Sequence, residues 1–374
     1  MSEHKKIKVV FGINDFLVGG AQRLHLGIFA SLDPARYDMH LITLFEFPNK
    51  DNFYAEVPPH IMVHRFSFTG FKDIPSWLAL YRLLRSMRPD VVIASLFFAN
   101  TVCRILKPLL GYAVVATENN TYVDKTRAAI LLDRVLSHIT SKIIAVSETV
   151  RTFTAQQEKI PLEKFMVIRS GVAVQDSLRK AEGIDRDATR RALGYGPDVR
   201  VVINAARLMR QKNQGALIQA FAAFSVAHPE YKLIIMGEGT KYGEYAALIR
   251  ELQAEDRIRL LGNIMDVGRY YAASDFFVSP SHIEGFGIAH VEALAFGLPV
   301  LTTKTAGPDE MIQEGENGLF ISDPSPNAIR VGLEKMALLD LASMHEACRA
   351  TADRYDVRHT VALYEELIEG AAGR

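Results

Sequence analysis

Two stretches decide the fold: KVVFGINDFLVGGAQRLHLGIFASL at residues 8–32 and VVINAARLMRQKNQGALIQAFAAF at residues 201–224. Each begins with a short apolar run, continues through a polar loop and ends in a segment whose apolar residues recur at helical spacing. This order is typical of a buried parallel strand followed by a crossover helix. Because the unit occurs twice, the sequence predicts two doubly wound domains in tandem.

The rest of the chain alternates in the same way, with one interruption. The segment 172–198 is charged and contains glycine, and no strand-like run occurs before Val201. We therefore expect an α/β protein with two Rossmann-like domains, divided between residues 172 and 173. Ligands bind at the carboxyl ends of the strands in such sheets, so the loops at these edges are expected to face one central cleft.

Composition excludes several classes of protein. The 374 residues are 49% apolar and 23% charged, which is typical of a soluble globular chain of about two domains. No apolar stretch is long enough for a membrane-spanning helix, and the apolar run Val9–Ile13 is too short for a secretory signal. Two cysteines far apart, Cys103 and Cys348, form neither a disulfide framework nor a zinc cluster, so we expect a cytoplasmic location.

The stretch SPSHIEGFGIAHVEALAFGLPVLTT, residues 279–303, carries the most chemical information. Glu284 precedes a loop of Gly285, Phe286 and Gly287, and a helix is expected to begin near Ile288. The free amides at such a helix start suit a phosphate or a sugar hydroxyl. Glu292 lies in that helix among apolar residues, where a carboxylate needs hydrogen-bond donors. It is either half-exposed, part of an internal cap, or a ligand for a ribose diol.

This stretch resembles the signature of glycosyltransferase family 4, the retaining nucleotide-sugar transferases of GT-B fold, in its E-x7-E spacing and its surrounding glycines and prolines. Other segments resemble landmarks of the same family in the same order. They are Gly19-Gly20-Ala21-Gln22-Arg23, Thr117-Glu118-Asn119-Asn120, Ala206-Arg207-Leu208 with Lys212-Asn213, Met236-Gly237-Glu238-Gly239, and Gly262-Asn263-Ile264. Two positions depart from the family: Gln22 replaces the usual acid, and Asn119 stands where many members have a histidine.

The resemblance implies a role for each segment. Residues 173–356 would hold a nucleotide-sugar donor, and residues 1–172 would bind the acceptor, with the last helix, residues 357–374, packing back on the first domain. Donor contacts would come from the residues matched to the family's site: Gly19, Gly20, Arg207, Lys212, Gly237, Asn263, Ile264, Glu284, Gly285, Phe286, Gly287, Ile288 and Glu292. Catalytic roles would fall to Glu284, Arg207, Lys212 and Asn119.

The resemblance also implies the reaction. The expected enzyme is a retaining transferase that moves a hexose or N-acetylhexosamine from a nucleotide-sugar, by default a UDP-sugar, to a glycan or polyprenyl-diphosphate-linked acceptor in bacterial surface polysaccharide assembly. It would need no cofactor and no metal, because cationic side chains replace the ion, and it would bind no nucleic acid. The alternatives are a nucleotide-sugar 2-epimerase and a non-catalytic partner that binds the same donor.

Charge distribution adds one further expectation. Residues 1–170 hold 21 Lys and Arg against 15 Asp and Glu, whereas the remainder is acidic. A segment within this basic half combines Lys72, Trp77, Tyr81, Arg85 and Arg88 at helical spacing, together with Leu80 and Leu84. Such a helix either lies on an anionic membrane or packs in the protein with a solvated face. The protein is accordingly expected in the cytoplasm, with peripheral contact at the inner face of the membrane as the alternative to a freely diffusing form.

Overall fold

The computed structural model describes residues 5–373, and the side chains of all of these except residues 176, 177, 180 and 181. The chain divides into two compact units. The first ends at Gly171 and resumes at Val357, and the second is Val172–Asp356. The first boundary lies one residue before the predicted one, and the second coincides with it. The donor and acceptor roles expected for the two domains stay predictions.

The first unit is built on a parallel sheet of seven strands. Its strands are β1 (Ile7–Ile13), β2 (Tyr37–Thr43), β3 (Met62–Arg65), β4 (Val91–Ser95), β5 (Ala113–Glu118), β6 (Lys142–Ala145) and β7 (Phe165–Val167), in the spatial order β3-β2-β1-β4-β5-β6-β7. Apolar residues on β1 and β4 are fully buried, as expected for a sheet covered on both faces. The edge strand β3 is mostly exposed, which explains why it shows no apolar run in the sequence.

Helices connect the strands of the first unit. They are α1 (Gly20–Ser31), α2 (Ile74–Met87), α3 (Phe97–Leu110), α4 (Arg127–Ser137) and α5 (Glu148–Glu158). Local signals explain their ends: Asp73 and Ser147 accept hydrogen bonds from backbone amides at the starts of α2 and α5. No helix within residues 5–373 combines the length and apolar character needed to span a bilayer.

The second unit contains a parallel sheet of six strands. They are β8 (Arg200–Ala205), β9 (Tyr231–Met236), β10 (Ile258–Gly262), β11 (Phe276–Ser279), β12 (Val300–Thr303) and β13 (Gly318–Ile321), in the order β10-β9-β8-β11-β12-β13. The helices are α6 (Val174–Ala181), α7 (Arg186–Ala192), α8 (Gln214–Ala227), α9 (Tyr242–Glu251), α10 (Gly268–Ala273), α11 (Ile288–Ala295), α12 (Ala306–Met311), α13 (Pro326–Ala337) and α14 (His345–Asp353). The predicted α/β class with two parallel sheets is confirmed.

The last helix, α15 (Val357–Ala372), packs on α1 of the first unit. Its Glu365 forms an ion pair with Arg36 at 2.9 Å, and the hydroxyl of Tyr37 donates to Glu369 at 3.0 Å. A side chain at Gly171 would collide with the backbone of Val357, since a Cβ there would lie 2.5 Å from the Val357 Cα. The glycine therefore permits the close passage of α15 at the point where the chain re-enters the first unit.

A cluster of charged side chains is buried between α3, α4 and α5. Lys125 contacts Asp133 at 2.5 Å, Glu118 at 4.0 Å and also Glu158, while Arg104 pairs with Asp133. Three carboxylates thus face two cations. Burial and the negative charge of Glu118, opposed by the positive charge of Lys125, raise the pKa of Glu158 to about 7. Near neutral pH the cluster therefore retains a proton that the unfolded chain has lost.

This cluster predicts a loss of stability as the pH rises. The pKa of Glu158 is about 7 in the fold against an ordinary 4.5, so its contribution is fully present below pH 4.5 and lost as the pH passes 7. Replacing Glu158 with Gln removes this term, and between pH 5 and 8 the wild type should lose about 2.5 kcal/mol relative to the variant. Urea unfolding followed by the fluorescence of Trp77, the single tryptophan, reports on this unit.

The matched control is Glu163→Gln, because Glu163 is exposed in the same unit. It should follow the wild type at both pH values. Equal pH dependence in wild type and Glu158→Gln would show that the cluster carries no excess charge.

Candidate functional site

The strand order of the second unit places two loops side by side. β8 pairs with β9 on one flank and with β11 on the other, so the direction of chain progression reverses at β8. The loops after β8 and β11 leave the same edge of the sheet at this reversal. Ligands bind at such points in open α/β sheets, since the two loops diverge and leave a crevice.

Backbone contacts join these two loops. The amide of His282 donates to the carbonyl of Gln211 at 2.9 Å, and the side-chain amide of Gln211 donates to the carbonyl of Ile283 at 2.9 Å. Asn213 donates to the carbonyl of Pro280 at 3.2 Å. The cationic loop after β8 is therefore held against the acidic loop after β11.

The two loops bring Lys212 and Glu284 together. The Lys212 ammonium lies 2.5 Å from a Glu284 carboxylate oxygen, and both side chains are mostly buried. Burial alone would raise the pKa of Glu284, but the charge and the hydrogen bond of Lys212, together with the charge of Arg207, outweigh it, so this pKa lies below the ordinary value. The site therefore holds an ionised glutamate and a charged lysine in one partly enclosed place.

Arg207 contributes a second positive charge. Its guanidinium is exposed and donates no hydrogen bond to the described residues, although its charge acts on Glu284. The backbone of this loop is well held, because the side chain of Gln214 donates to the Arg207 carbonyl at 3.0 Å and the amide of Leu208 donates to the backbone carbonyl of Glu238 at 2.8 Å. A fixed backbone with an unengaged guanidinium is an arrangement suited to an incoming anion.

Two glycines permit close backbone approach at this edge. Gly237 has φ = 130°, and a Cβ there would lie 2.1 Å from the Ala206 carbonyl oxygen. At Gly307, a Cβ would lie 1.9 Å from the carbonyl oxygen of Phe286. The loop Gly285-Phe286-Gly287, which is buried, therefore rests directly on the start of α12. Any larger residue at Gly307 would displace this loop.

Glu292 is buried, with 8% of its surface exposed, and accepts a hydrogen bond from the Tyr271 hydroxyl at 3.2 Å. Of the alternatives that the sequence left open, the half-exposed one is therefore wrong, because α10 covers this face of α11. Asn263 and Ile264 follow β10 and are half-buried, and the amide of Gly237 donates to the neighbouring carbonyl of Gly262 at 2.8 Å.

His290 also belongs to this site, although it was not predicted from the sequence. It is 1% exposed, and its Nε2 lies 3.0 Å from the Thr302 hydroxyl, which itself donates to the carbonyl of Ser279. The ring therefore donates from Nε2. Burial lowers the pKa of His290 to about 4, opposed by Glu284 and assisted by Lys212, so the ring is neutral at pH 7. A histidine between apolar residues of a predicted helix was the signal that could have identified it.

Three buried polar atoms in this region have no hydrogen-bond partner among the described residues. They are His290 Nδ1, Asn204 Oδ1 and Gln214 Oε1. Asn204 lies on β8, Gln214 begins α8 and His290 lies on α11, so all three belong to segments at the reversal point. Unpaired buried polar atoms are uncommon in native proteins and often mark functional sites.

The remaining predicted site residues belong to the first unit. Gly19 and Gly20 begin α1 after β1, and Asn119 follows β5. Gln22, at the position of the family's acid, is buried and donates to Asp15 Oδ1 at 3.1 Å. Asn119 is half-buried, and its nearest hydrogen-bond partner is the carbonyl of Thr117, at 3.5 Å. Both loops leave the carboxyl edge of their sheet, with β4 between them.

Comparisons with known proteins agree with this geometry. The family model described as glycosyl transferases group 1 matches residues 185–354, and the glycosyltransferase family 4 model matches residues 18–176. The alpha-monoglucosyldiacylglycerol synthase of Acholeplasma laidlawii is 26% identical over 82% of each chain. An Escherichia coli UDP-Gal:alpha-D-GlcNAc-diphosphoundecaprenol alpha-1,3-galactosyltransferase is 25% identical over 86% of this chain and 85% of its own.

A solved structure shows the same fold. The Anabaena protein HepE, determined in complex with UDP-glucose, has a TM-score of 0.83 at 22% identity, covering 97% of this chain and all of the other. The two family models together span most of the chain, and they divide near the boundary between the two units. The chain therefore belongs to glycosyltransferase family 4 and has the GT-B fold.

Proposed function

We propose that this protein is a retaining glycosyltransferase that moves a hexose or an N-acetylhexosamine from a UDP-sugar to a glycan or a polyprenyl-diphosphate-linked acceptor in bacterial surface polysaccharide assembly. The observation that carries this proposal is the contact of Lys212 with Glu284 beside the unengaged Arg207. The Escherichia coli relative, named for a UDP-galactose donor and a diphosphoundecaprenol acceptor, and the Anabaena structure with UDP-glucose support the choice of substrates.

The charges suit a reaction whose leaving group is a diphosphate. As the bond between the anomeric carbon and the diphosphate breaks, negative charge grows on the departing oxygen. Arg207 and Lys212 stabilise that charge, which makes their interactions stronger in the transition state than in the ground state. Glu284 then loses its cationic partner to the diphosphate, and its carboxylate is available for hydroxyls of the sugar.

The acceptor hydroxyl completes the exchange. Its oxygen bonds to the anomeric carbon on the face that the diphosphate leaves, and its proton passes to the departing phosphate, so that configuration is retained and UDP is released. Glu292 would bind the ribose, with the Tyr271 hydroxyl holding its carboxylate in place. In the first unit, Asn119 would contact the acceptor as a hydrogen-bond partner only, because an amide does not act as a base near pH 7.

Variants of the Lys212–Glu284 pair distinguish a catalytic role of these residues from a structural one. Lys212→Met alone leaves a mostly buried carboxylate without its partner and should destabilise the second unit. The double variant Lys212→Met/Glu284→Gln removes both charges and should fold, yet transfer from a UDP-sugar should fall about 100-fold or more. Release of UDP in the presence of a lipid-linked acceptor, together with circular dichroism, measures both properties.

The control is Lys335→Met, which removes an exposed lysine of the same unit and should leave transfer unchanged. A folded double variant with wild-type turnover would contradict the proposed roles. Incubation of the wild type with the donor alone tests the epimerase alternative. If the sugar of the donor is isomerised when no acceptor is present, the protein is an epimerase and the transferase proposal is wrong.

Metal independence is a further prediction. Asp185-Arg186-Asp187 has the spacing of a divalent-metal motif, but Asp185 accepts from the amide of Ala188 at 2.9 Å and pairs with Arg191 at 3.2 Å. It therefore caps α7, and we assign neutralisation of the diphosphate to Arg207 and Lys212. Transfer should proceed at an unchanged rate in EDTA. A loss of activity that Mg²⁺ or Mn²⁺ restores would contradict this assignment.

The helix α2 is the proposed contact with an anionic membrane. Leu80 and Leu84 are buried in the core of the first unit, so this side of the helix packs in the protein, as the second of the two predicted alternatives has it. The outward face instead presents Ile74 and Leu78, which are 69% and 44% exposed, beside Arg85. An apolar patch with adjacent cations is the combination that binds anionic bilayers.

Replacement of Ile74 and Leu78 by Asp should abolish co-flotation with phosphatidylglycerol vesicles at low salt. The matched control is Val226→Asp on α8 of the second unit, a substitution at a residue that is 75% exposed, and this variant should float like the wild type. Flotation of the α2 variant at the wild-type level, or no flotation of the wild type, would remove the membrane proposal.

A further inference from the structure

A cavity lies in the second unit, at the edge of the sheet opposite the candidate donor site. Its volume is about 720 Å³, within the usual range for small-molecule sites, and it is lined by residues at the amino ends of strands. Arg200 begins β8, Asp275 precedes β11 and Leu298 precedes β12. The residues of the candidate donor site follow the carboxyl ends of these strands, about 20 Å away along the six residues of β8. The two places are therefore distinct.

The charges of this cavity do not cancel. Asp275 is buried, and one of its oxygens accepts from Arg190 at 2.7 Å and from the amide of Val201 at 2.6 Å. Arg190 itself is buried and also donates to the carbonyls of Ala273 and Val199. The charge of Asp275 is therefore matched by Arg190, which lies behind the cavity wall.

Three further arginines line the cavity: Arg186, Arg200 and Arg349. Arg186 and Arg200 lie 2.8 and 3.7 Å from the second oxygen of Asp275, whose charge Arg190 already balances. Arg349 makes no ion pair or hydrogen bond with its side chain among the described residues. Glu182 is the other carboxylate in the lining. The three lining arginines, together with Arg190 behind the wall, therefore face two carboxylates, which leaves an excess of two positive charges.

His345, another lining residue, responds to this excess. Burial lowers the pKa of His345, the charges of Arg349 and Arg186 lower it further, and Asp275 and Asp340 act in the opposite direction. The neighbouring wall is apolar and includes Phe296 and Leu298. Phe296 directly follows α11, the helix that begins beside Gly287 and carries Glu292, so an occupant would lie against the far end of a donor-site helix.

We propose that this cavity, hereafter the amino-edge cavity, binds a phosphate monoester with an apolar body. An excess of two positive charges matches the double charge of a phosphate monoester near neutral pH, whereas a carboxylate would neutralise only half of it. The oxygens of one phosphate can accept from three guanidinium groups. The apolar wall suits the carbon skeleton. The phosphate belongs either to a soluble metabolite or to a lipid headgroup, and the proposal is independent of the transferase reaction.

The test titrates the full-length protein with phenyl phosphate by calorimetry. The wild type should bind phenyl phosphate more tightly than inorganic phosphate, and phenol not at all. Arg200→Gln/Arg349→Gln should weaken phenyl phosphate binding at least about tenfold, since two charge-assisted contacts are lost. Both arginines are exposed, so the variant should keep its fold, which circular dichroism checks.

Two control variants show where on the protein phenyl phosphate binds. Arg250→Gln/Lys335→Gln removes two exposed cations elsewhere in the unit, and Lys212→Met/Glu284→Gln alters the candidate donor site. Both should bind phenyl phosphate like the wild type. Loss of binding in the second control but not in Arg200→Gln/Arg349→Gln would assign the ligand to the donor site and overturn the proposal.

A second arm separates the two sources of phosphate. Sedimentation with phosphatidate–phosphatidylcholine vesicles is compared for the wild type and Arg200→Gln/Arg349→Gln, with vesicles of phosphatidylcholine alone as the blank. If only vesicle binding depends on these arginines, the ligand is a lipid headgroup, and if only phenyl phosphate binding does, it is a soluble ester. If neither measurement depends on them, the amino-edge cavity is not a phosphate site.

Discussion

The pairing of β8 with β9 on one side and β11 on the other is the constraint on which the second unit depends. It determines that the loops after β8 and β11 diverge from adjacent strands, and their mutual hydrogen bonds then hold Lys212 against Glu284. The same pairing brings the amino ends of these strands together at the opposite edge, where Arg200 and Asp275 meet. One topological feature thus accounts for both the candidate donor site and the amino-edge cavity.

Buried charged side chains are compensated differently in three parts of the structure. At Glu284, a lysine and a nearby arginine outweigh the cost of burial and keep the carboxylate ionised. Between α3, α4 and α5, three carboxylates share two cations, and the surplus appears as a raised pKa of Glu158. Around Asp275 the surplus is positive. Around Glu284 and around Asp275, cationic side chains remain available to a ligand. Between α3, α4 and α5, both cations are paired with carboxylates of the protein.

The neutral His290 shows how the donor-site loop is supported. Its Nε2 is held by Thr302 on β12, and its Nδ1 edge lies against Gly287, where a Cβ would be only 2.6 Å away. Together with Gly307 beneath Phe286, this packing gives the glycine loop a defined path. A site that stabilises a developing charge benefits from such rigidity, since fixed groups need not reorganise during the reaction.

Much of this could be predicted from the sequence. The apolar runs of β1 and β8 and the helices after them determined the α/β class, and the order of glycines, glutamates and cations determined the family. These are local signals, because burial on both faces of a parallel sheet requires a continuous apolar run. By contrast, only the tertiary structure decided four features: the contact of Lys212 with Glu284, 72 positions apart, the burial of Glu292 against Tyr271, the inward face of α2, and the arginines around Asp275. Each of them depends on which distant segments of the chain pack together.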